Sequence, residues 1–397
     1  MDRDQCLALD AQDPLRAFKD EFVLPEGVIY LVGNSLGALP RRTAERMRRT
    51  VEEEWGEQLV GGWNHAGWYE QPLTIGDRLA PLIGAGPGQV VVGNTTSIAI
   101  FQAVAAALRL RHERRVIVSD AANFPTDHYM VQGLAGLLGG YEVRDLAEGR
   151  FDDAAVVLLS EVDYRTGARQ DVPAVTAAAH AAGALIVWDL CHSVGAMEVD
   201  VSEADFAVGC TYKYLSAGPG APAFLYVNPR HQATAENVLS GWHGHAAPFA
   251  FETDFRPADG MRRFVVSTPH VLSLAALDAA LDIWERVPMA QVRAKSMALT
   301  SLFVDLVGDR LELASPADPA ARGSQISLRH PDGYPVMRAL IDRGVHGDFR
   351  APDTLRFGFA PLHLGYTDVY DAAATLLEVL DKELWRDEKY AVRLAVT

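Results

Sequence analysis

Lys213 is the residue around which chemistry can be built. It lies between two tyrosines in the stretch 205–226, DFAVGCTYKYLSAGPGAPAFLY. The run 206–209 reads as a short apolar strand and 223–227 as a second, joined by a loop too rich in Gly and Pro to be helix. An ammonium among apolar segments is costly unless its charge is removed or paired. Turning the amine into a Schiff base with a carbonyl cofactor is one solution; a lysine snorkelling out of a strand end is the plainer one. Asp189 closes the apolar run ALIVW, which places a carboxylate at the carboxyl end of a buried strand, where ligands bind in open α/β folds. A buried Asp needs a cationic partner, and a protonated pyridine nitrogen would serve. His192, just beyond, can brace that carboxylate, touch a cofactor or sit satisfied in the core. GNTTS (93–97) puts Thr95 and Thr96 at the start of a helix, where amides, hydroxyls and the helix dipole hold a phosphate or simply cap the helix. In NFPTD (123–127), Phe124 offers a flat face to an aromatic ring and Asp127 is placed to cap the helix that follows, although Pro-Thr-Asp is also an ordinary helix start.

Strands expected over 28–33, 89–92, 115–119, 155–160, 184–189 and 206–209 alternate with helices over 41–57, 98–110, 126–138 and 172–182. Short apolar runs alternating with helices imply a mostly parallel sheet covered on both faces. GGWNHAGWY (61–69) is too aromatic for a surface loop, so Trp63 and Trp68 are expected to line a pocket or a subunit contact. Past residue 227 the texture changes. The loop GWHGHAAPFAF (241–251) precedes helices over 271–286 and 290–306, broken at Pro288. Strands over 325–329 and 354–359 and helices over 335–343 and 367–385 then suggest a compact α+β unit, where antiparallel edges are expected. The division falls near residue 285, giving a large domain over 46–285 and a smaller α+β domain over 286–397 with 1–45.

Length supports this division, since single cores stop growing near ~250–300 residues and the chain has 397. A hydrophobic content of 49% with 22% charged residues is ordinary for a globular enzyme. The net charge of −16 argues against nucleic-acid or anionic-membrane partners, so an anionic cofactor would need local amide-rich or cationic machinery. The charged N-terminus lacks a signal core, and no run approaches the ~20 apolar residues of a membrane span. A cytoplasmic location is therefore expected. Cys6, Cys191 and Cys210 form no CxxC and leave one unpaired, which indicates neither a disulfide framework nor a metal site.

A phosphate cup, a stacking aromatic, an Asp at a strand end and a lysine on a following strand–loop thus fall in one order. Here the chain resembles kynureninase, a pyridoxal phosphate (PLP) enzyme of fold type I, across nearly its whole length. The matching pieces are GNSLG, GDRLAPLIGAGPGQVVVGNTTS, NFPTDHY, WDLCHSVGA, ADFAVGCTYKYLSAGPGAPAFLYV, GWHGHAAPFAF, TPHVLSLAAL and GDFRAPDTLRFGFAPL. The resemblance implies an α/β, PLP-dependent transferase-like large domain with a mostly parallel sheet, plus a smaller α+β C-terminal domain. It also implies that Lys213 carries the coenzyme and that Asp189 pairs with its pyridine nitrogen. Thr95, Thr96, Tyr212 and Trp242 would hold the phosphate, the last two from different subunits of a homodimer with shared active sites. Phe124 would stack on the ring, with Asp127, Ser160, His192 and Thr268 near the cofactor. Arg356 would grip the α-carboxylate of a small amino-acid substrate, a task suited to its planar fork. Ser35, Trp63 and Thr268 would face the aryl ketone end.

The reaction so implied is hydrolysis of the Cβ–Cγ bond of L-kynurenine, 3-hydroxy-L-kynurenine or both. The products are (3-hydroxy)anthranilate and L-alanine, in tryptophan degradation or a related biosynthetic pathway. Lys213 would remove the α-proton and Tyr212 would relay a proton. His65, His243, Ser267, His270 and His346 depart from the family pattern, facing the aryl pocket or lying on the surface. The alternative is another fold-type I enzyme, an aminotransferase or lyase acting on a different aryl-ketone amino acid. A desulfurase would need a nucleophilic cysteine on a loop after the lysine, and the chain has none beyond Cys210. A PLP-binding regulatory module would carry a DNA-binding appendage or lack Lys213 or Arg356.

Overall fold

Seven strands form the central sheet of the computed structural model, which describes residues 1–393. They are β1 (Val90–Val92), β2 (Val116–Ser119), β3 (Glu142–Asp145), β4 (Ala154–Ser160), β5 (Leu185–Asp189), β6 (Phe206–Gly209) and β7 (Phe224–Val227). Their order across the sheet is β1-β7-β6-β5-β4-β2-β3. The pairs from β6 through β3 are parallel, whereas β7 runs antiparallel to both β6 and β1. Antiparallel pairing therefore also occurs in the large sheet and is not confined to the smaller unit. The short connection 210–223 forces this, because it returns the chain beside β6 with no crossover helix.

Continuous apolar strands follow from burial on both faces. In β4, Val156 and Leu158 point to one core and Val157 and Leu159 to the other. In β5 the same alternation sends Leu185 and Val187 one way and Ile186 and Trp188 the other. One core is closed by the Ala-rich helix Thr96–Leu110, the other by helices Gln71–Leu79 and Val271–Trp284. Strand β3 (EVRD) has no counterpart in the sequence reading, because a polar edge strand lacks an apolar signature. The helix expected over 41–57 is α-helical through Arg41–Arg49 and widens to π geometry over Thr50–Trp55.

A second, antiparallel sheet holds β8 (Glu312–Leu313), β9 (Gln325–Arg329), β10 (Asp348–Arg350) and β11 (Thr354–Gly358), in the order β8-β9-β11-β10. Helices Met289–Val307, Gly333–Ile341 and Tyr366–Asp381 share its core, where Phe303 packs on Phe357 and Phe359. Cys6 and Leu31 enter the same core, and Ile29–Tyr30 pairs in parallel with Val345–His346. Asp10 accepts from the amides of Tyr366 (2.6 Å) and Thr367 (3.0 Å), satisfying two donors at that helix start. No helix among the described residues is long and apolar enough to cross a membrane.

Two arrangements deliver side chains to one place. Parallel register sets Ser160 opposite Asp189 at the carboxyl ends of β4 and β5. The loop 33–37 locks the segment after β6, since the amide of Gly37 donates to the carbonyl of Tyr212 at 2.8 Å. A Cβ on Gly37 would lie 2.3 Å from both the Lys213 carbonyl and Ser216 Oγ, so only glycine permits this approach. Gly37→Ala is expected to cost about 1–3 kcal/mol, as overpacked sites do. Urea denaturation checks this; an unchanged midpoint would contradict the close contact between the two loops.

Candidate active site

The ends of β4 and β5, the start of helix Thr96–Leu110, the loop after β6 and strands β10 and β11 enclose a cavity of about 390 Å³. Asp189, 4% exposed, forms part of its floor. Its Oδ1 accepts from the Cys191 amide (2.9 Å) and its Oδ2 from Ser160 Oγ (3.1 Å). Ser160 Oγ also lies against Asn123 Oδ1, and Asn123 Nδ2 donates to Asp127 Oδ2 at 2.8 Å. Burial, then the charge of Asp189, pushes Asp127 well above the usual carboxylate range, so it is held as a neutral acid hydrogen-bonded to Asp189. Among the described residues, no Lys, Arg or His forms an ion pair with Asp189. A buried carboxylate in that state has an unmet demand for a cation, worth several kcal/mol.

Lys213 stands in the same cavity with the complementary deficit. Its Nζ lies 2.8 Å from His192 Nε2, and among the described residues no carboxylate pairs with it. Burial, then the lysine's charge, pushes the His192 imidazole well below its ordinary range. Neutral His192 therefore accepts from Lys213 at Nε2 and carries its proton on Nδ1, which is buried without a partner. The phenol of Tyr212 is raised by burial and by the neighbouring Cys210, so it keeps its proton.

Thr95 caps its helix, Oγ1 accepting from the Ile98 amide at 3.4 Å, and Asn94 before it takes a left-handed φ of +55°. Thr95, Thr96 and Ser97 all line the cavity, so hydroxyls and outward-pointing first-turn amides face it together. Phe124 borders the same space, 43% exposed and edge-on to Tyr164 at 5.2 Å. Arg356 enters from β11, 2% exposed. Its Nε and Nη2 donate to the two oxygens of Asp348, and its Nη1 to the Tyr164 carbonyl (2.5 Å). Two of its five N–H donors remain for a ligand. Ser35 lies on the wall, held by the neighbouring Asn34, whose Nδ2 donates to Gln325 at 2.8 Å.

One chain thus brings together Ser35, Thr95, Thr96, Phe124, Asp127, Ser160, Asp189, His192, Tyr212, Lys213 and Arg356. It does not bring Trp63, Trp242 or Thr268. Trp63 is half-buried, edge-on to Trp68 at 5.7 Å. Trp242 is 41% exposed beside Phe249, and Thr268 lines a separate cleft with Ser267 and His270. Two expectations need correction. Trp68 packs inside its own chain and not against a pocket; it is 7% exposed, and its indole donates to Glu54 (3.0 Å), which Arg46 neutralises. Asp127 does not cap its helix but sits inside the first turn of Pro125–Leu138, turned to Asn123 and Asp189. Asn123, Tyr164, Asp348 and Arg350 shape the site yet went unassigned, although NFPTD and GDFR contain three of them. None of the atypical histidines lines this cavity. His65 and His270 are exposed, His346 is half-buried against Tyr30, and His243 is fully buried.

An amine without an acid, an acid without a cation, and a helix start without an anion therefore face one space. A ligand carrying an aldehyde, a protonated ring nitrogen and a phosphate answers all three. The profile of the kynureninase C-terminal domain matches residues 292–376. The chain is 50% identical over 413 residues to a kynureninase of Burkholderia pseudomallei (strain 1106a), covering 100% of this chain and 99% of that one. It is 53% identical over 399 residues to a kynureninase of Deinococcus radiodurans, covering 96% and 97%. Among solved structures it is similar to the apo cysteine desulfurase of Thermococcus onnurineus NA1, with a TM-score of 0.77 at 20% identity, covering 92% of this chain and 97% of that one. That likeness concerns the fold alone.

His243 supplies a pH test. Both its ring nitrogens are buried without partners, and burial, then the charge of Arg262, lowers it to about 4. The unfolded chain therefore binds the proton first. The contribution of His243 to stability is complete above about pH 6.5 and is lost toward pH 4 by up to ~1.4 kcal/mol per unit. His243→Phe is expected to flatten that slope and to stabilise the protein at pH 5 by ~1–3 kcal/mol. Urea midpoints at pH 7 and pH 5 check this; equal slopes in both proteins would contradict it.

Proposed function

The chain belongs to the kynureninase family, and on that premise we propose that it hydrolyses the Cβ–Cγ bond of L-kynurenine, 3-hydroxy-L-kynurenine or both. The products are (3-hydroxy)anthranilate and L-alanine, and the coenzyme is pyridoxal 5'-phosphate. One observation carries the reading: the unpaired Lys213 amine and the unpaired Asp189 carboxylate open into a single cavity beside the start of helix Thr96–Leu110. When bound, PLP supplies an aldehyde for an amine and a cationic ring that draws electrons from the substrate α-carbon.

The chain's own groups then divide the work. Asp189, aimed by Ser160 and the Cys191 amide, holds a proton on the ring nitrogen. Thr95, Thr96 and Tyr212 hold the phosphate, with Phe124 against the ring. Lys213 Nζ removes the α-proton, and neutral His192 steadies that amine by accepting its hydrogen bond. Arg356, oriented by Asp348, presents its free donors to the α-carboxylate. Water added at Cγ leaves with the aromatic product, and Tyr212, which keeps its proton, is suited to protonate Cβ of the alanine fragment that stays behind. Ser35 faces the aryl ketone end.

The remaining residues, Trp63, Trp242 and Thr268, are proposed to complete the cavity of a second copy in a homodimer with shared sites. Exposed Trp55 (56%), Val60 (80%), Phe249 (66%) and Phe251 (81%) support this, since monomers rarely leave such a set uncovered. A cytoplasmic place in tryptophan degradation suits three cysteines that are all free. A cysteine desulfurase reaction has no support here, because both cysteines near the cavity lie before Lys213 and are buried.

Purified protein supplied with PLP is expected to release alanine and a fluorescent aminobenzoate from kynurenine or its 3-hydroxy analogue. No alanine from either would overturn the reading. Arg356→Lys is expected to raise KM by ~10–100-fold through loss of the fork; an unchanged KM would remove that role. Light scattering on the same sample is expected to give twice the 43.2 kDa chain mass, and a monomer would reject the shared site.

A further inference from the structure

Two cysteines that the reaction does not use lie beneath the cavity. Strands β5 and β6 pair in the register Val187–Phe206, Trp188–Ala207 and Asp189–Val208, and the Leu190 amide extends that ladder to the Val208 carbonyl at 2.8 Å. Counted two positions on, past the ends of both strands, the same register would bring Cys191 level with Cys210. Neighbouring strands lie about 4.8 Å apart, inside the roughly 4.4–6.8 Å that a disulfide spans between Cα atoms. The side chains already meet: the Cys210 amide donates to Cys191 Sγ at 3.1 Å, and Cys210 Sγ lies 3.8 Å from the Cys191 carbonyl. Both are free thiols, 7% and 2% exposed, and Cys191 lines the cavity, so a small oxidant entering there reaches the pair. Cys6, the third, is buried in the other core.

We propose that Cys191 and Cys210 form a peroxide-sensitive dithiol whose disulfide ties the segment bearing Asp189 to the one bearing Lys213. One thiol attacks hydrogen peroxide, giving a sulfenic acid and water; the second displaces hydroxide from it, forming the S–S bond and a second water. Each peroxide is reduced by the two electrons the thiols lose. Burial alone would raise the Cys210 thiol, but the hydrogen bond from Cys191 and the charge of Lys213 outweigh it and bring it below the ordinary thiol value. Bound coenzyme would cover Cys191 and slow the reaction, a consequence that rests on the proposed function.

The test treats the full-length protein with hydrogen peroxide, with and without saturating PLP, and counts thiols after denaturation. Without PLP, free thiols are expected to fall from three to one, with loss of two hydrogens in the intact mass. Dithiothreitol is expected to restore both, and peptide mapping to join the Cys191 and Cys210 peptides. Cys191→Ala and Cys210→Ala are each expected to abolish that cross-linked peptide. An unchanged thiol count, sulfinic acid without a bridge, or a bridge through Cys6 would overturn the proposal. Coenzyme absorbance in the reduced protein is read separately: failure to bind PLP would count against the proposed function, not against the dithiol. Equal bridging rates in protein shown to hold PLP would overturn the shielding.

Discussion

A buried acid and a half-buried amine, neither with an oppositely charged partner among the described residues, face one cavity and constrain everything around them. Left alone, the buried carboxylate would cost several kcal/mol, a large share of an ordinary chain's stability. The surroundings do not neutralise Asp189 or Lys213; they position them. Ser160 and the Cys191 amide fix the carboxylate, and Asp127 is held as a neutral acid so that no second negative charge competes for the same cation. His192 stays uncharged beside Lys213 for the parallel reason on the other side. The folded protein therefore carries a preorganised deficit that a coenzyme with a cationic ring and an aldehyde removes.

The rest of the fold reads as support for that geometry. Parallel strands bring chain segments distant in sequence to the carboxyl end of one sheet, and Gly37 allows the loop 33–37 to press on the Lys213 backbone. Tyr164 joins the two sheets, since its carbonyl takes the Arg356 guanidinium while its ring meets Phe124. Arg356 and Phe124 are thereby referred to a single residue.

What could be read from the sequence was what single segments encode. Lys213, Asp189, Thr95 and Thr96 stood out because a polar residue at the end of an apolar run needs a reason. The alternation of strands and helices gave the large sheet apart from β3, whose EVRD carries no apolar pattern, and apart from the run 28–33, whose Ile29–Tyr30 pairs with Val345–His346 outside that sheet. Tyr164, Asn123 and Asp348 were invisible because their roles arise from contacts made only on folding; Arg356 meets the Tyr164 carbonyl across 192 positions. Trp68 misled because the partner that makes its burial cheap, Glu54, lies 14 residues upstream and gives no local sign. The role proposed for Arg356 comes from family resemblance, not from spacing.

Borohydride reduction of the PLP-loaded protein, followed by peptide mapping, tests the central claim most directly, because it fixes the coenzyme to whichever lysine holds it. The chain offers Lys19, Lys213, Lys295, Lys382 and Lys389. The account predicts a phosphopyridoxyl group on Lys213 alone, with labelling greatly weakened in Asp189→Ala. Label on any other lysine, or undiminished labelling of Lys213 without Asp189, would contradict it.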